Sequence, residues 1–215
     1  MNMKKGDFIR VNYVGRLETG EVFDLTDEAV AKKEGLHNEK IKYKPVPVII
    51  GAGFLIPGLD NAVLGMKVGE KKDVEVKPED GFGQRDPNLV RVVPKKVFED
   101  KVNPKPGMVV DFSGMRGRIQ SVEAGRIRVD FNNPLAGKTL KYEIEITEEL
   151  NEPSAKIKGV LEFFGAENAD VKIDGNEANI KIKLPEQMKE KIGQLVLENV
   201  TEIKKVNFID SYEKK

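Results

Sequence analysis

The residue types that most enzymes use for proton transfer and covalent catalysis are scarce in this chain. Its 215 residues include no cysteine and one histidine, His37. The absence of cysteine excludes disulfides, thiolate catalysis and cysteine-ligated zinc or iron–sulfur sites. One imidazole cannot build a multi-histidine metal site, and His37 lies in a charged stretch, 35–44, where we expect it to face solvent. We therefore expect chemistry without a histidine base, a metal or a cofactor.

Charge balance limits the partners. The chain has 36 Lys plus Arg against 36 Asp plus Glu, so no bulk field attracts nucleic acid or an anionic membrane, and we expect neither as a partner. The amino terminus lacks the apolar core of a signal peptide, and no stretch approaches the roughly 18 apolar residues of a membrane helix. The expected location is the cytoplasm.

Two stretches imitate ligand-binding motifs. GAGFLIPG at 51–58 follows an apolar strand and opens a helix, as a dinucleotide-binding loop does, but Ile56 stands where the third glycine is required. Nucleotide binding is therefore a distant alternative, which an unchanged melting temperature with nucleotide would exclude. Residues 170–175 resemble the start of a calcium loop, yet Lys172 places a cation where a ligand belongs, so a hairpin turn is preferred.

Alternating and helical patterns predict an α+β fold. Strands are expected at 8–14 and 22–24, and an apolar stripe at Leu59, Ala62, Val63 and Met66 predicts one short helix. Strands at 71–76 and 142–146 bracket a proline-punctuated, β-rich insertion. After Glu152 the order helix, strand, strand, helix, strand is expected, with the second helix over 187–203 and the last strand over 206–209.

One aromatic and aliphatic set is spread along the chain: Tyr13, Phe23, Leu55, Ile56, Leu59, Phe82, Leu135 and Tyr142. Composition alone assigns such residues to a core. Their surrounding motifs suggest a different role. These motifs are VNYVG at 11–15, GEVFD at 20–24, LIPGL at 55–59 and GMKVGE at 65–70. Through them the chain resembles the FKBP family of peptidyl-prolyl cis-trans isomerases.

Further motifs are similar to the SlyD-type branch of that family: PEDGFG at 78–83, NLV at 88–90, VP at 93–94 and NNPLAGK at 132–138. That branch carries an insert-in-flap module, and the segment after Glu152 makes the chain resemble its long archaeal form. The resemblance implies a half-barrel of antiparallel strands wrapped on one short helix at 1–83 and 129–150. A β-rich insert-in-flap domain at 84–128 and a C-terminal α+β domain at 151–215 would complete the chain.

The resemblance also implies an apolar proline pocket. Its walls would be Tyr13, Phe23, Leu55, Ile56, Phe82, Leu135 and Tyr142, with Leu59 as the floor and Asp24 as the one carboxylate. The backbone N–H of Ile56 would bind a substrate carbonyl, and the Tyr13 hydroxyl would bond to Asp24. Three positions depart from the family pattern. Leu59 replaces a frequent Trp, Phe82 a tyrosine and Asn133 a histidine, and the histidine-rich metal tail of bacterial relatives is absent.

The insert has more apolar residues than so small a module is expected to bury. We expect it to bind unfolded polypeptide and to supply prolines to the pocket by raising their effective concentration. The candidate client-binding residues are Val90, Val92, Val93, Phe98, Met108, Val109, Phe112 and Met115. The plainer alternative is that these residues form a private core.

The expected function is a prolyl isomerase and folding chaperone acting on unfolded or partly folded polypeptides and proline-containing peptides. The alternative is a holdase with a weak or degenerate pocket, which the residues at 59, 82 and 133 favour. The C-terminal segment shows no catalytic constellation. Its helix face and last strand favour a role in homodimerisation.

Overall fold

The structure is a computed structural model and describes residues 2–98, 103–112 and 114–210. The chain forms two compact units. The first unit comprises residues 1–76 and 140–215, and the second comprises residues 77–139. The second unit is wider than the predicted insert, 84–128, because it also includes residues 77–83, with a short turn at Pro78–Asp80, and residues 129–139.

An antiparallel sheet forms the centre of the first unit. Its strands are β1 (Phe8–Leu17), β2 (Val22–Leu25), β3 (Val46–Ile49), β4 (Lys71–Val76) and β9 (Leu140–Glu149). The order is β2-β1-β9-β4, and β3 pairs with the first half of β1. β1 and β9 pair from Ile9 to Leu17, and β9 alternates buried apolar residues with more exposed polar ones.

The β4–β9 pairing determines how the second unit is attached. Val76 and Leu140 lie directly opposite each other at the end of this ladder. The chain therefore leaves the sheet and returns to it at two neighbouring positions. A tight turn could join these positions without changing the register of the sheet.

Two short helices lie between the strands of the first unit. α1 (Glu28–Lys33) is capped by Asp27, whose side chain accepts from the Ala29 and Val30 N–H groups. α2 (Pro57–Val63) has proline at its first turn, where the missing N–H is not needed. The apolar stripe predicted for α2 and the turn after it is confirmed, since Leu59, Ala62, Val63 and Met66 are all buried.

The C-terminal segment, residues 151–210, has the predicted order of elements. These are α3 (Pro153–Phe163), β10 (Asp170–Asp174), β11 (Glu177–Lys181), α4 (Glu186–Asn199) and β12 (Lys205–Ile209). α4 connects β11 to β12, which pair in parallel, because a parallel pair needs a long crossover. The helix ends at Asn199, earlier than the predicted 203, where Val200 turns to extended backbone.

The C-terminal segment differs from the separate domain expected at 151–215. Phe8, Ile49 and Leu150 of the barrel belong to the same buried cluster as Ile157, Val160, Leu161, Ile180, Ile192 and Val196. An ionic cluster reinforces this junction. Both Arg10 Nη atoms bond to the carboxylate of Glu162 in α3, at 3.0 and 2.7 Å, and Lys44 Nζ lies 2.6 Å from Glu162 Oε1. Barrel and segment form one unit because one core serves both.

The second unit contains a four-stranded antiparallel sheet with its own core. Its strands are β5 (Val90–Pro94), β6 (Val109–Phe112), β7 (Met115–Glu123) and β8 (Arg126–Asp130), in the order β5-β8-β7-β6. Val93, Phe98, Ile119, Ile127 and Val129 are buried, and Met108, Val110, Phe112, Val122 and Phe131 pack against them. No helix among the described residues is long and apolar enough to cross a membrane.

Candidate functional site

Three aromatic side chains form a wall on one side of the barrel sheet. Phe23 of β2 meets Tyr142 of β9 edge to face, with ring centroids 5.6 Å apart and planes at 89°. Tyr13 of β1 meets the same ring at 6.1 Å and 67°. Such pairs are favourable beyond the area that they bury. Residues distant in sequence therefore build one rigid aromatic surface.

Gly15 leaves room for the rings of this wall, although its sequence motif did not identify it as a site residue. It lies opposite Tyr142 in the β1–β9 ladder and opposite Asp24 in the β1–β2 ladder. A Cβ atom at Gly15 would lie 2.7 Å from Phe23 Cζ and 2.9 Å from Tyr142 Cε1. Any larger residue would therefore displace the two rings. The glycine at the end of the VNYVG motif is the sequence feature that could have indicated this close packing.

Asp24 is the carboxylate of the site. It is exposed, and its Oδ2 accepts a hydrogen bond of 3.0 Å from the Tyr13 hydroxyl, as expected from the motifs. Burial, followed by the Asp24 charge and this hydrogen bond, raises the pKa of Tyr13 well above its ordinary value. Burial and the Asp24 charge raise the pKa of Tyr142 to about 12. Both hydroxyls therefore keep their protons at physiological pH, and that of Tyr13 donates to Asp24.

The hairpin that carries Tyr13 and Asp24 is fixed by a buried hydroxyl. Thr26 is 6% exposed, and its Oγ1 accepts from the Tyr13 N–H at 2.9 Å. The same hydroxyl lies 2.9 Å from Asn12 Oδ1, to which it donates. A buried, fully bonded hydroxyl specifies one arrangement of the backbone. The spacing of Tyr13 from Asp24 is therefore held by residues outside the predicted set.

The loop before α2 carries the predicted backbone donor. Leu55 and Ile56 are half-buried, and Leu59 is 3% exposed in the first turns of the helix. The Ile56 carbonyl accepts from Leu59 and Asp60, whereas its N–H bonds to no acceptor in the described part of the chain. A non-helical residue before a helix start presents such a donor to ligands. Ile56 can therefore bind a carbonyl oxygen.

The C-terminal segment contacts this loop. The ring centroid of Phe54, two residues before Ile56, lies 4.4 Å from that of Phe163 and 6.4 Å from that of Phe164. Lys191 of α4 stands 5.1 Å above the Phe164 ring. At the other end of the loop, the Gly51 N–H donates to Asp60 Oδ1 at 3.1 Å. The loop is thus held by both the barrel helix and the C-terminal helices.

The other predicted residues lie in the second unit. Phe82 and Leu135 are half-buried there, and their assignment to the pocket stays a prediction. Asn133 has a local role, since its Oδ1 accepts from the Leu135 N–H at 2.8 Å. Asn133 therefore caps the turn that carries Leu135, which gives this departure from the expected histidine a structural role.

The second unit divides the predicted client-binding residues into two classes. Val93 and Phe98 are 6% and 7% exposed in its core, so their side chains are not available at the surface. Met108 and Phe112 pack against that core, and Met115 is half-buried. Val92 and Val109 are 57% and 46% exposed, and Val90 is half-buried. The private-core alternative therefore holds for part of the set.

His37 stays outside the wall, as expected. It is an exposed residue whose ring stacks on Tyr43 at 5.5 Å, and its Nε2 lies 3.3 Å from Glu28 Oε1. The described residues contain no group of three or more His, Cys, Asp or Glu side chains arranged to hold a metal. The wall of Tyr13, Phe23 and Tyr142 carries the Tyr13–Asp24 hydroxyl–carboxylate pair and the Tyr142 hydroxyl as polar groups.

Known proteins match this chain over the barrel and the second unit. The family described as FKBP-type peptidyl-prolyl cis-trans isomerase matches residues 1–147. A short-type peptidyl-prolyl cis-trans isomerase of Methanocaldococcus jannaschii is 40% identical over 145 residues, 67% of this chain and 92% of that protein. A probable FKBP-type 16 kDa isomerase of Pseudomonas fluorescens is 29% identical over 143 residues, 64% and 85% of the two chains. The SlyD isomerase of Escherichia coli is 40% identical over 106 residues, 47% and 54% of the two chains.

The matched residues include the aromatic wall, Asp24 and the loop that carries Ile56. The half-barrel of antiparallel strands around α2 agrees with the resemblance found in the motifs. A site of this kind suits a reaction without covalent chemistry, because bond rotation in a prolyl peptide needs neither nucleophile nor base. The chain is a peptidyl-prolyl cis-trans isomerase and belongs to the FKBP family.

Proposed function

We propose that the isomerase binds the proline ring of its substrate against Tyr13, Phe23 and Tyr142, with Leu59 as the floor and Leu55 and Ile56 beside it. The observation that carries this proposal is the edge-to-face wall next to the Tyr13–Asp24 pair. Polypeptides that contain proline are the substrates that follow from the family. An apolar wall with few polar groups matches a pyrrolidine ring, which offers no hydrogen-bond donor.

The mechanism follows from the electronic change in the amide. Rotation about this partial double bond meets a barrier of about 18–20 kcal/mol. A twisted amide has lost resonance, so an apolar surface stabilises it better relative to the planar form than water does. The free Ile56 N–H fixes the carbonyl on one side of the rotating bond. Asp24, held by the Tyr13 hydroxyl, provides the negative charge of the site.

The Asp24 assignment is tested by Asp24→Leu. Because Asp24 is exposed, the variant should keep its melting temperature. We expect kcat/KM for a short proline peptide to fall about tenfold, the size of one hydrogen bond to a charged group. Tyr13→Phe, which keeps the ring and removes the hydroxyl, is the matched control and should lose less. An unchanged rate in Asp24→Leu would remove Asp24 from the site.

We further propose that the second unit acts as a chaperone that binds unfolded chains. The exposed Val92 and Val109 on its sheet support this role, because a module with a complete core has no structural need for them. Attachment of this surface to the isomerase raises the effective concentration of client prolines.

Proline-limited refolding of an unrelated protein tests this combination. The full chain is compared with a deletion variant that lacks residues 90–130 and in which Asn-Gly joins Leu89 to Phe131. The deletion should disturb the remaining chain little, because the two residues to be joined are already close: the Phe131 N–H donates to the Leu89 carbonyl at 2.9 Å. The deletion should nearly abolish acceleration of refolding while preserving much of the activity on a short peptide. Equal losses on both substrates would reject the chaperone role, and suppression of aggregation without acceleration would favour a holdase.

We also propose that the C-terminal segment mediates homodimerisation. Its strand β12 pairs with β11 on one side and with no described strand on the other. Ile209 on this strand is 45% exposed. An exposed apolar edge strand favours association with a second strand. Light scattering at micromolar concentration should give the mass of a dimer and, for Ile209→Lys, that of a monomer; a wild-type monomer would reject the proposal.

A further inference from the structure

The outward face of the sheet in the second unit is rich in arginine. Ile119, Ile127 and Val129 face the core, so the residues that alternate with them face solvent. These are Arg116 and Arg118 on β7 and Arg126 and Arg128 on β8, all exposed. None of the four guanidinium groups forms an ion pair with a carboxylate of the described residues. Four unpaired arginines on one face are unusual in a chain whose total charge is balanced.

Two of these arginines, Arg116 and Arg118, line a cavity of about 600 Å³. Its other walls include Val109, Phe131, Asn133 and Pro134. No carboxylate among the described residues lines it. The neighbouring acidic side chains are already engaged. Asp130, opposite Arg118, accepts from Arg85, Gln120 and Asn132, and Asp111, opposite Arg116, accepts from the Gly114 N–H.

The polar group on the opposite wall suits a peptide backbone. Asn133 uses its Oδ1 to cap the Leu135 N–H, while its Nδ2 donates to no described residue. A free amide donor can bind a main-chain carbonyl. Val109 and Phe131 offer apolar contact, and one side of the Phe131 ring is covered by Arg91 at 5.8 Å. The groove therefore combines positive charge, apolar walls and a backbone donor.

We propose that this groove binds an extended client segment that carries acidic residues between apolar ones. The proposal rests on the chaperone role of the second unit and adds the client class, because unpaired guanidinium groups select carboxylates. The positive charge would direct the isomerase toward proline segments with neighbouring Asp or Glu. A polypeptide is favoured over a nucleic acid because the chain is a peptidyl-prolyl isomerase and the groove has apolar walls.

Three labelled peptides of equal length, each with a Leu-Pro centre flanked by Glu, Gln or Lys, provide the test. Fluorescence anisotropy with the full chain should rank the affinities Glu above Gln above Lys. Exposed ion pairs are individually weak, so we expect the Glu peptide to bind about 3- to 10-fold more tightly than the Gln peptide at low salt. This ratio should decrease in 0.5 M NaCl.

Two double variants locate the effect. R116Q/R118Q should bring the Glu-to-Gln affinity ratio to about 1. R126Q/R128Q removes the same charge from the same face but outside the groove, and it should keep the ratio. Equal loss in both variants would overturn the groove as the site. A single-stranded oligonucleotide that displaces the Glu peptide at lower concentration would overturn the choice of polypeptide.

The same experiment separates this proposal from the chaperone role. If all three peptides bind equally and binding disappears when residues 90–130 are removed, the chaperone role stands and the charge selectivity is wrong. If no peptide binds and the deletion variant refolds clients as fast as the full chain, both are wrong.

Discussion

The C-terminal segment and the second unit are both additions to the half-barrel, but they are attached in different ways. The C-terminal segment shares its buried cluster with Phe8, Ile49 and Leu150 of the barrel. The second unit has its own core around Ile119, Ile127 and Val129. One addition is therefore part of the cooperative structure that holds the isomerase site, and the other is a module with independent packing. The position of each addition along the chain does not indicate which of them shares the core of the barrel.

The largest effect is expected for Ile157→Ala. Ile157 is fully buried in the shared cluster, so its truncation should lower the free energy of unfolding by about 2–5 kcal/mol. All four tyrosines lie outside residues 77–139, so tyrosine fluorescence in urea reports the first unit alone. The barrel and the C-terminal segment should lose stability in one transition. Two separate transitions would show that the segment is an independent domain.

Ile127→Ala removes the same side chain from the core of the second unit. Ile127 is also fully buried, so the second unit should lose about 2–5 kcal/mol of its own stability. Hydrogen exchange should show loss of protection in β7 and β8. The tyrosine transition should shift clearly less than in Ile157→Ala. An equal shift would contradict the independence of the two cores.

Glu162→Gln tests the ionic part of the junction. Arg10 foremost, and then Lys44, lower the pKa of Glu162, so this carboxylate stabilises the fold above its unfolded pKa near 4.5. That contribution is lost as the pH falls through the lowered folded value. The variant should lose about 1–2 kcal/mol at pH 7 and show a flatter stability profile between pH 5 and 3. Glu167→Gln, at a more exposed carboxylate that also contacts Lys44, is the control with the smaller effect.

The smallest effect is expected for Phe163→Ala. Phe163 is 38% exposed and contacts Phe54, so truncation should loosen the loop of Ile56 with little change in melting temperature. We expect kcat/KM for a short peptide to fall about 2- to 5-fold and Phe163→Leu to restore part of it. Ile173→Ala, at a similarly exposed residue of the same segment, is the control. Equal activity in both variants would remove Phe163 as a positioning residue.

Periodicity predicted the elements better than it predicted their partners. The stripe at 59, 62, 63 and 66 and the alternation in β9 identified which faces are buried, because each pattern has a fixed geometric period. The helix predicted after Glu152 is likewise present as α3, but the pattern did not indicate that Phe8 and Ile49 would share its buried cluster. A one-dimensional pattern does not encode which distant residues complete a core.

In the candidate site, too, the sequence identified individual residues better than the residues that support them. Motifs identified Tyr13, Phe23, Asp24 and Tyr142, and the expected Tyr13–Asp24 hydrogen bond is present. The roles of Gly15, Thr26 and Phe54 were not predicted, because each acts by supporting another residue and the contact depends on three-dimensional proximity. In the second unit, Val93 and Phe98 could not be separated from the exposed Val92 and Val109 by composition. The burial of each side chain in the folded unit makes that distinction.

The facing positions of Val76 and Leu140 have an entropic consequence. While the second unit is folded, its ends are held together, and the Gly137 N–H donates to the Gly83 carbonyl at 2.8 Å. If that unit unfolds, the β4–β9 pair has to close a disordered loop of roughly 60 residues. Relative to a tight turn this costs about 2–3 kcal/mol, at about 0.6 kcal/mol for each doubling of loop length. Complete removal of the module should therefore harm the barrel less than unfolding it in place.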